Sequence, residues 1–273
     1  MANRQSFFLL PNQGSLRQML TIFTIVLNGS PYIQRHLEIF EKLKLPWQWR
    51  IVEGVSNPRN CTRWCREVPS KWHKDFVSID GTHEYLKELK HPNVLSVSQN
   101  SPWNGKIEMI HKALEGVSDG VVMEIDCDEF WTPDQIERIY DLLKDRTAGV
   151  TAQFHCNYYI GKKVVVSRSG LGSYPYEWYR AWKWGEGIHF TSHEPPLLNH
   201  QPARIPRGFT EELGLVFEHY AYSLPKQVEF KEQFYGYTGL LKSWEDLQKT
   251  IGPVRLNRFF THIQDRTIVD DAT

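Results

Sequence analysis

Apolar and polar positions fall into short, regular blocks along the first half of the chain. Thr21 to Leu27 (TIFTIVL) is a β-branched apolar run, the pattern of a strand buried in a parallel sheet. It breaks at Asn28-Gly29-Ser30-Pro31, where Ser30 is placed to cap a helix and Pro31 to fill its first turn. Ile33, Leu37 and Phe40 then recur at helical spacing as far as Leu45-Pro46. Trp47 to Gly54 reads as a second strand, Asn93 to Ser98 as a third and Val121 to Asp126 as a fourth. Between the last two, a helix is predicted from about Gly105 to Glu115. Thr132-Pro133 opens another, with Ile136, Ile139, Tyr140 and Leu143 on one face. Asn57 to Tyr85 is a long connection, of a length that implies function or partial helix.

The second half changes character. GVTAQFHCNYYI and KKVVVS are predicted to form a hairpin across Gly161-Lys162, and WYRAWKW to pair with IHFTSHE. SLPKQVEFKEQFYG reads as a capped helix, and Ser243 is expected to start one more. The fold class is therefore α/β: a mixed, mostly parallel sheet flanked by helices, with an antiparallel, loop-rich second half. One domain over 1–273 is expected, its halves meeting near residue 131 (about 20–131 and about 132–265). The closing DRTIVDDAT would suit a linker to a further module. In such a sheet, ligands sit beyond the carboxyl ends of the strands, where strand order switches.

Composition narrows the partners. The 273 residues carry 32 Lys+Arg against 32 Asp+Glu, so nucleic acid and anionic membrane are not expected as main partners. A hydrophobic content of 41% and a charged content of 23% describe an ordered globular chain. The apolar run Met19 to Leu27 is about half the length a membrane span needs. The opening MANRQSFFLLPN is too short for a signal peptide. Four cysteines (Cys61, Cys65, Cys127, Cys156) are too few and too uneven for a disulfide framework. A zinc site from Cys61, Cys65, His73 and His83 lacks the tight C-x-x-C hairpin, so free thiols and surface histidines fit better. A soluble protein of the cytoplasm is expected.

The strongest chemical feature is EIDCDEFW, Glu124 to Trp131. Asp126 and Asp128 stand one residue apart where an apolar strand runs out, and on extended chain both would face one ligand. Buried like charges that close would raise each other's pKa or demand a cation, and a hard divalent ion beside a phosphate-bearing substrate is the natural answer. The plain alternative is an acidic turn capping the next helix. Glu129 is expected to face the other way as a structural residue.

IVLNGSPYI, IDCDEF, RAWKWGEGIHFTSHEPPL and FEHYAY, in that order, resemble the family 2 glycosyltransferases, whose fold is the GT-A type. The likeness runs from about Thr21 to Gly236. Two departures stand out: Val52-Glu53-Gly54 replaces a common aspartate pair, and His193-Glu194 replaces a common Glu-Asp.

The resemblance implies a nucleotide-diphosphate-sugar donor, a UDP- or GDP-sugar, and a glycan or other hydroxyl-bearing acceptor. Leu27, Asn28 and Glu53 would lie by the base and ribose. Asn104 and Lys106 would open a helix beside the site, with Lys106 near a phosphate. His219 would join Asp126 and Asp128 around Mn²⁺ or Mg²⁺. On WYRAWKW, Trp182 and Trp184 read as an aromatic face alternating with Arg180 and Lys183, with Arg180 near a phosphate or an acceptor acid. Glu194 is the expected catalytic base: a strand runs into it, prolines follow, and partial desolvation would raise its pKa. His193 should point away from it, and an ion pair of Glu194 with Arg180 or Lys183 is the structural alternative.

Residues and resemblance together point to a metal-dependent, inverting glycosyltransferase. A sugar-nucleotide nucleotidyltransferase would show a Gly-rich basic loop after the first strand, which Asn28-Gly29-Ser30-Pro31 is not. A non-catalytic carbohydrate-binding protein of the same fold is the other rival.

Overall fold

The computed structural model describes residues 18–58, 61, 65–168, 170–171 and 178–273. The opening segment weighed above as a signal peptide lies outside them. The first half runs β1 (Leu20–Val26), α1 (His36–Phe40), β2 (Trp47–Glu53), α2 (Thr82–Glu88), β3 (Val94–Ser98), α3 (Lys106–Ala113), β4 (Gly120–Glu124), β5 (Glu129–Phe130) and α4 (Pro133–Leu143). The second half begins with β6 (Thr151–Ile160), β7 (Lys163–Val165), β8 (Trp178–Trp184), β9 (Phe190–His193), β10 (Pro196–Leu198) and β11 (Arg204–Ile205). It continues through α5 (Arg207–Glu212), β12 (Val216–His219), α6 (Pro225–Tyr235), α7 (Leu240–Leu247), β13 (Val254–Arg255) and β14 (Ile268–Asp271).

One sheet joins the two halves in the order β13-β14-β7-β6-β8-β4-β1-β2-β3. β3, β2, β1 and β4 run parallel, and β8 lies antiparallel between β4 and β6. From β1 the chain proceeds outward to β2 and β3, then returns to the other side as β4. That reversal is the switch point, and Asn28 and Asp126 lie just past the two strand ends that flank it.

Burial explains the sheet. On one face Ile22, Trp49 and Met123 pack against Ile136, Ile139 and Leu143 of α4. On the other, Phe23, Val122, Trp182 and Phe190 pack against Met109 and Ile110 of α3. Each such side chain is worth roughly 1.5–3 kcal/mol of transfer free energy. α4 begins as its sequence requires: Thr132 Oγ1 accepts the Gln135 N–H, and Gln135 returns the bond to the Thr132 N–H.

Several expected elements differ. The helix after Pro31 is only His36–Phe40, and Ser30 is part of a turn instead of its cap. The 161–162 hairpin forms, but WYRAWKW does not pair with IHFTSHE. It is a central strand, and β9 turns back on β10 even though Pro196 opens that strand. The turn lets proline sit at a strand's first position, where its missing N–H does no harm. α7 starts at Leu240, one turn before Ser243.

Trp182 and Trp184 are buried core residues and form no exposed sugar platform. The register of β8 against β6 passes from Ala181 to Tyr179, leaving Arg180 as the extra residue of a bulge. The bulge breaks simple alternation and re-aims Arg180. Lys183 points elsewhere and pairs with Asp119 at 2.9 Å.

α1 is tied to the acid turn by His36, which is 1% exposed. Its ring stacks on Phe130, and Nε2, taken as protonated, donates to the Cys127 carbonyl at 2.9 Å. Burial lowers its pKa from 6.5 to about 4. Between those values the unfolded chain binds a proton that the folded chain refuses, so stability falls as pH drops through that window. At pH 5 the expected loss from this residue is about 2 kcal/mol relative to pH 7. Urea denaturation at both pH values checks it: His36→Gln should remove that share of the pH dependence, and an unchanged dependence would refute the assignment.

Candidate functional site

β4 ends at Glu124, two residues before Asp126, so the two aspartates sit in a turn rather than on extended chain. The Glu129 N–H closes that turn onto the Asp126 carbonyl at 3.0 Å. Gly29 lies against it: a Cβ there would come within 3.2 Å of Cys127 Cβ and 2.8 Å of Val26 Cγ2. The turn therefore sends its acids in different directions. Asp126 Oδ2 accepts from Arg180 Nη2 at 3.1 Å. Asp128 Oδ1 lies 3.7 Å from His219 Nε2, and its Oδ2 accepts from Gln227 at 3.3 Å.

Arg180 is the hub beneath. Its Nε and Nη2 donate to Glu129, at 2.8 and 2.6 Å, and its Nη1 lies 3.5 Å from Glu124 Oε2. Glu124 and Glu129 are both fully buried. Burial pushes Glu129 up against the pull of Arg180. Burial also works on Glu124, but His193 and Arg180 outweigh it and hold that acid below its ordinary range. The expectation that Glu129 is structural agrees with this geometry, though it faces the same Arg180 as Asp126. Arg180, expected near a phosphate, is 5% exposed and faces these acids instead.

The acceptor-edge candidates meet across 88 residues of sequence. Lys106, the first residue of α3, donates to Glu194 Oε1. His193, expected to point away, has Nδ1 3.6 Å from Glu194 Oε1 and Nε2 3.2 Å from Glu124 Oε1. Burial would raise the pKa of Glu194, yet His193 and Lys106 overcome it and hold the carboxyl far below the usual range. The expected upward shift is thus reversed, and its partner is Lys106, neither Arg180 nor Lys183. Contacts of 4 Å or less now run unbroken from Lys106 through Glu194, His193, Glu124 and Arg180 to Asp126.

The residues expected around the nucleoside are anchored to the 57–85 connection. Asn28 takes φ 59°, a region asparagine tolerates. Its Nδ2 donates to the Trp72 carbonyl at 2.7 Å, and its Oδ1 accepts the Ile79 N–H at 3.0 Å. Glu53, expected by the base and ribose, is buried: at 1% exposure it accepts the Ser78 N–H at 2.9 Å and lies 2.7 Å from His83 Nδ1. Leu27 packs on the small cluster of Val55, Val68, Trp72 and Phe234. Asn104 precedes α3, its N–H bonded to Glu108. Among the described residues no three His, Cys, Asp or Glu side chains converge around Cys61, Cys65, His73 and His83, so the cysteine–histidine zinc set does not assemble.

A divalent cation fits in part. His219 is buried among Tyr158 and Trp178, and burial lowers its pKa to about 3, leaving a neutral imidazole. That ring and the Asp128 carboxylate make a nitrogen–oxygen pair suited to Mn²⁺ or Mg²⁺. Asp126 is instead engaged by Arg180. Among the described residues, no three His, Cys, Asp or Glu side chains converge as a complete protein cage.

Sequence reasoning missed His193 as a bridge, Glu124 beneath it and Gln227 beside Asp128. Only the Gln227 link left a trace, in the Pro-started α6. A cavity of about 520 Å³ is lined by Pro46, Glu137, Tyr140 and Lys144, and none of the site residues borders it. Among the described residues no helix is long and apolar enough to cross a membrane.

Residues 75–194 match the model of the family described as Glycosyl transferase family 2. The matched segment holds the acid turn, Arg180 and, as its last residue, Glu194. Among solved structures, the chain is similar to the mannosyltransferase PcManGT from Pyrobaculum calidifontis in complex with GDP-Man and Mn²⁺. That likeness has 19% identity over 54% of this chain and 37% of that one, with a TM-score of 0.38. It is also similar to S. aureus TarS 1-349, at 13% identity over 60% of this chain and 46% of that one, TM-score 0.38. The chain thus aligns with less than half the length of either. No curated protein matches it.

Proposed function

We propose that this chain, a family 2-like glycosyltransferase of mixed α/β, GT-A architecture, moves a sugar from a nucleotide-diphosphate donor to an acceptor hydroxyl with inversion. The observation that carries the reading is the pairing of Asp128 with a neutral, buried His219 in the turn at the sheet's switch point. UDP- or GDP-sugars are the donors, and a glycan or another hydroxyl-bearing molecule is the acceptor. One domain does both tasks, the nucleotide half at about 20–131 and the acceptor half at about 132–265. No disulfide joins its described cysteines, which fits a cytoplasmic setting.

Asp128 and His219 would hold Mn²⁺ or Mg²⁺, with Asp126 completing the polar turn. A bound divalent ion supplies positive charge against the leaving diphosphate. The protein's own residues do the rest. Arg180 holds Asp126 and Glu129 in place, so the turn is preorganised before any ligand arrives. Leu27 and Asn28 border the nucleoside, with Glu53 fixing the connection beside them. Asn104 and Lys106 open α3 at the acceptor edge, where Glu194 accepts the proton of the attacking hydroxyl.

Asp128→Ala tests the reading. Wild-type protein should melt higher with Mn²⁺ plus a UDP- or GDP-sugar than with either alone. Saturation at a hundred times Kd corresponds to about 2.7 kcal/mol. The variant should keep its own melting temperature and lose the metal-dependent rise. An undiminished rise in Asp128→Ala would remove the aspartate from the site.

A further inference from the structure

We infer that Lys231 is a contact for the phosphate groups of the donor. The inference rests on the functional reading above and adds to it a residue that neither the acid motif nor the late His-Tyr motif contains. α6 is locked onto the acid turn by Gln227. Its Oε1 accepts the Ser223 and Leu224 N–H groups, and its Nε2 reaches both the Tyr220 carbonyl and Asp128 Oδ2. Lys231 stands four residues further on, the next position on the same helix face.

A row of packed aromatic rings connects Lys231 to the candidate ligand His219. The Lys231 Nζ lies 4.6 Å from the centroid of the Tyr222 ring. Tyr222 is 6.2 Å from Tyr158, and Tyr158 is 5.0 Å from the His219 ring.

Its charge balance singles it out. Arg180, Lys106 and Lys183 each face a carboxylate within 3.2 Å. Among the described residues, Lys231 has no carboxylate within ion-pair distance, although it is half-buried and stands beside an acid turn. A cation left unpaired there, steadied over an aromatic face, is ready for an anion from outside. An ammonium on a flexible stem suits phosphate oxygens, which it meets as a point charge. The plain alternative is a helix lysine that only packs on Tyr222.

Titration calorimetry with UDP, GDP and inorganic pyrophosphate, each with Mn²⁺, decides between them. Lys231→Gln should weaken every diphosphate by about tenfold or more, the loss of one charge-assisted contact. Lys231→Arg should restore most of the affinity. Uridine and guanosine, which lack phosphate, should bind both proteins alike. Wild-type affinity for the diphosphates in Lys231→Gln, with its melting temperature unchanged, would overturn the inference alone. If the wild-type protein bound none of the three diphosphates, this inference and the functional reading would fall together.

Discussion

Arg180→Met is expected to destabilise the protein by about 3–5 kcal/mol, more than any other single change in the site. The guanidinium donates to Glu129 and Asp126 and lies 3.5 Å from Glu124, and Glu124 and Glu129 are fully buried. Removing it leaves Glu129 buried without its counter-charge and Glu124 with His193 alone. Each must then take up a proton or draw in water, and either outcome loosens the turn that carries Asp126 and Asp128. Lysine is no substitute, because the planar fork is what reaches several carboxylates at once. A second change separates charge from shape: Arg180→Met with Glu129→Met removes both ends of the strongest pair and should recover part of the loss. Urea unfolding of the three proteins measures this. Wild-type stability in Arg180→Met would mean that the buried acids are neutralised by some other route.

What the sequence made legible follows from the range of the forces involved. β1, β2, β3, β4 and the capping box of α4 were readable because a strand's burial pattern and a helix's cap are local. The acid turn was readable for the same reason: its carboxylates follow directly on an apolar run. The partners of those acids were not. Arg180 reaches them through a one-residue bulge, and a bulge leaves no mark on the alternation of WYRAWKW. Glu53 reads from the sequence as a nucleoside contact, because its partners, Ser78 and His83, come from the far end of a long connection. Lys106 and Glu194 are 88 residues apart, and the packing of α3 on Phe190 is what brings it against the β9–β10 turn. Chemistry-bearing residue types could be listed from sequence; which charge answers which is a property of the fold.

Glu194→Gln should lower transfer by about 10²–10⁴-fold while leaving metal-dependent donor binding close to wild type. Glu194 lies at the turn where β9 reverses into β10, with Lys106 and His193 both at its Oε1. Glutamine keeps the size and much of the hydrogen bonding but cannot take a proton. His193 and Lys106 hold the carboxyl well below its usual pKa, against burial, so it is ionised at every pH at which transfer would be assayed. A base that weak receives the proton late, as the acceptor oxygen bonds to the anomeric carbon and its hydroxyl becomes strongly acidic. The pH dependence carries the sign. A depressed pKa keeps the base form available down to low pH, so Glu194 should put no acid-side fall into the wild-type profile near neutrality. Lys106→Met removes the ammonium and leaves burial less opposed, so the pKa of Glu194 rises. An acid limb should then move up toward neutral pH, with activity lost as pH falls through it. A structural ion pair predicts no such limb, only a less stable α3. Measuring transfer against pH in wild type, Lys106→Met and Glu194→Gln therefore separates the two roles. Turnover within a few-fold of wild type in Glu194→Gln, or a product that keeps the donor's anomeric configuration, would exclude Glu194 as the base of an inverting displacement.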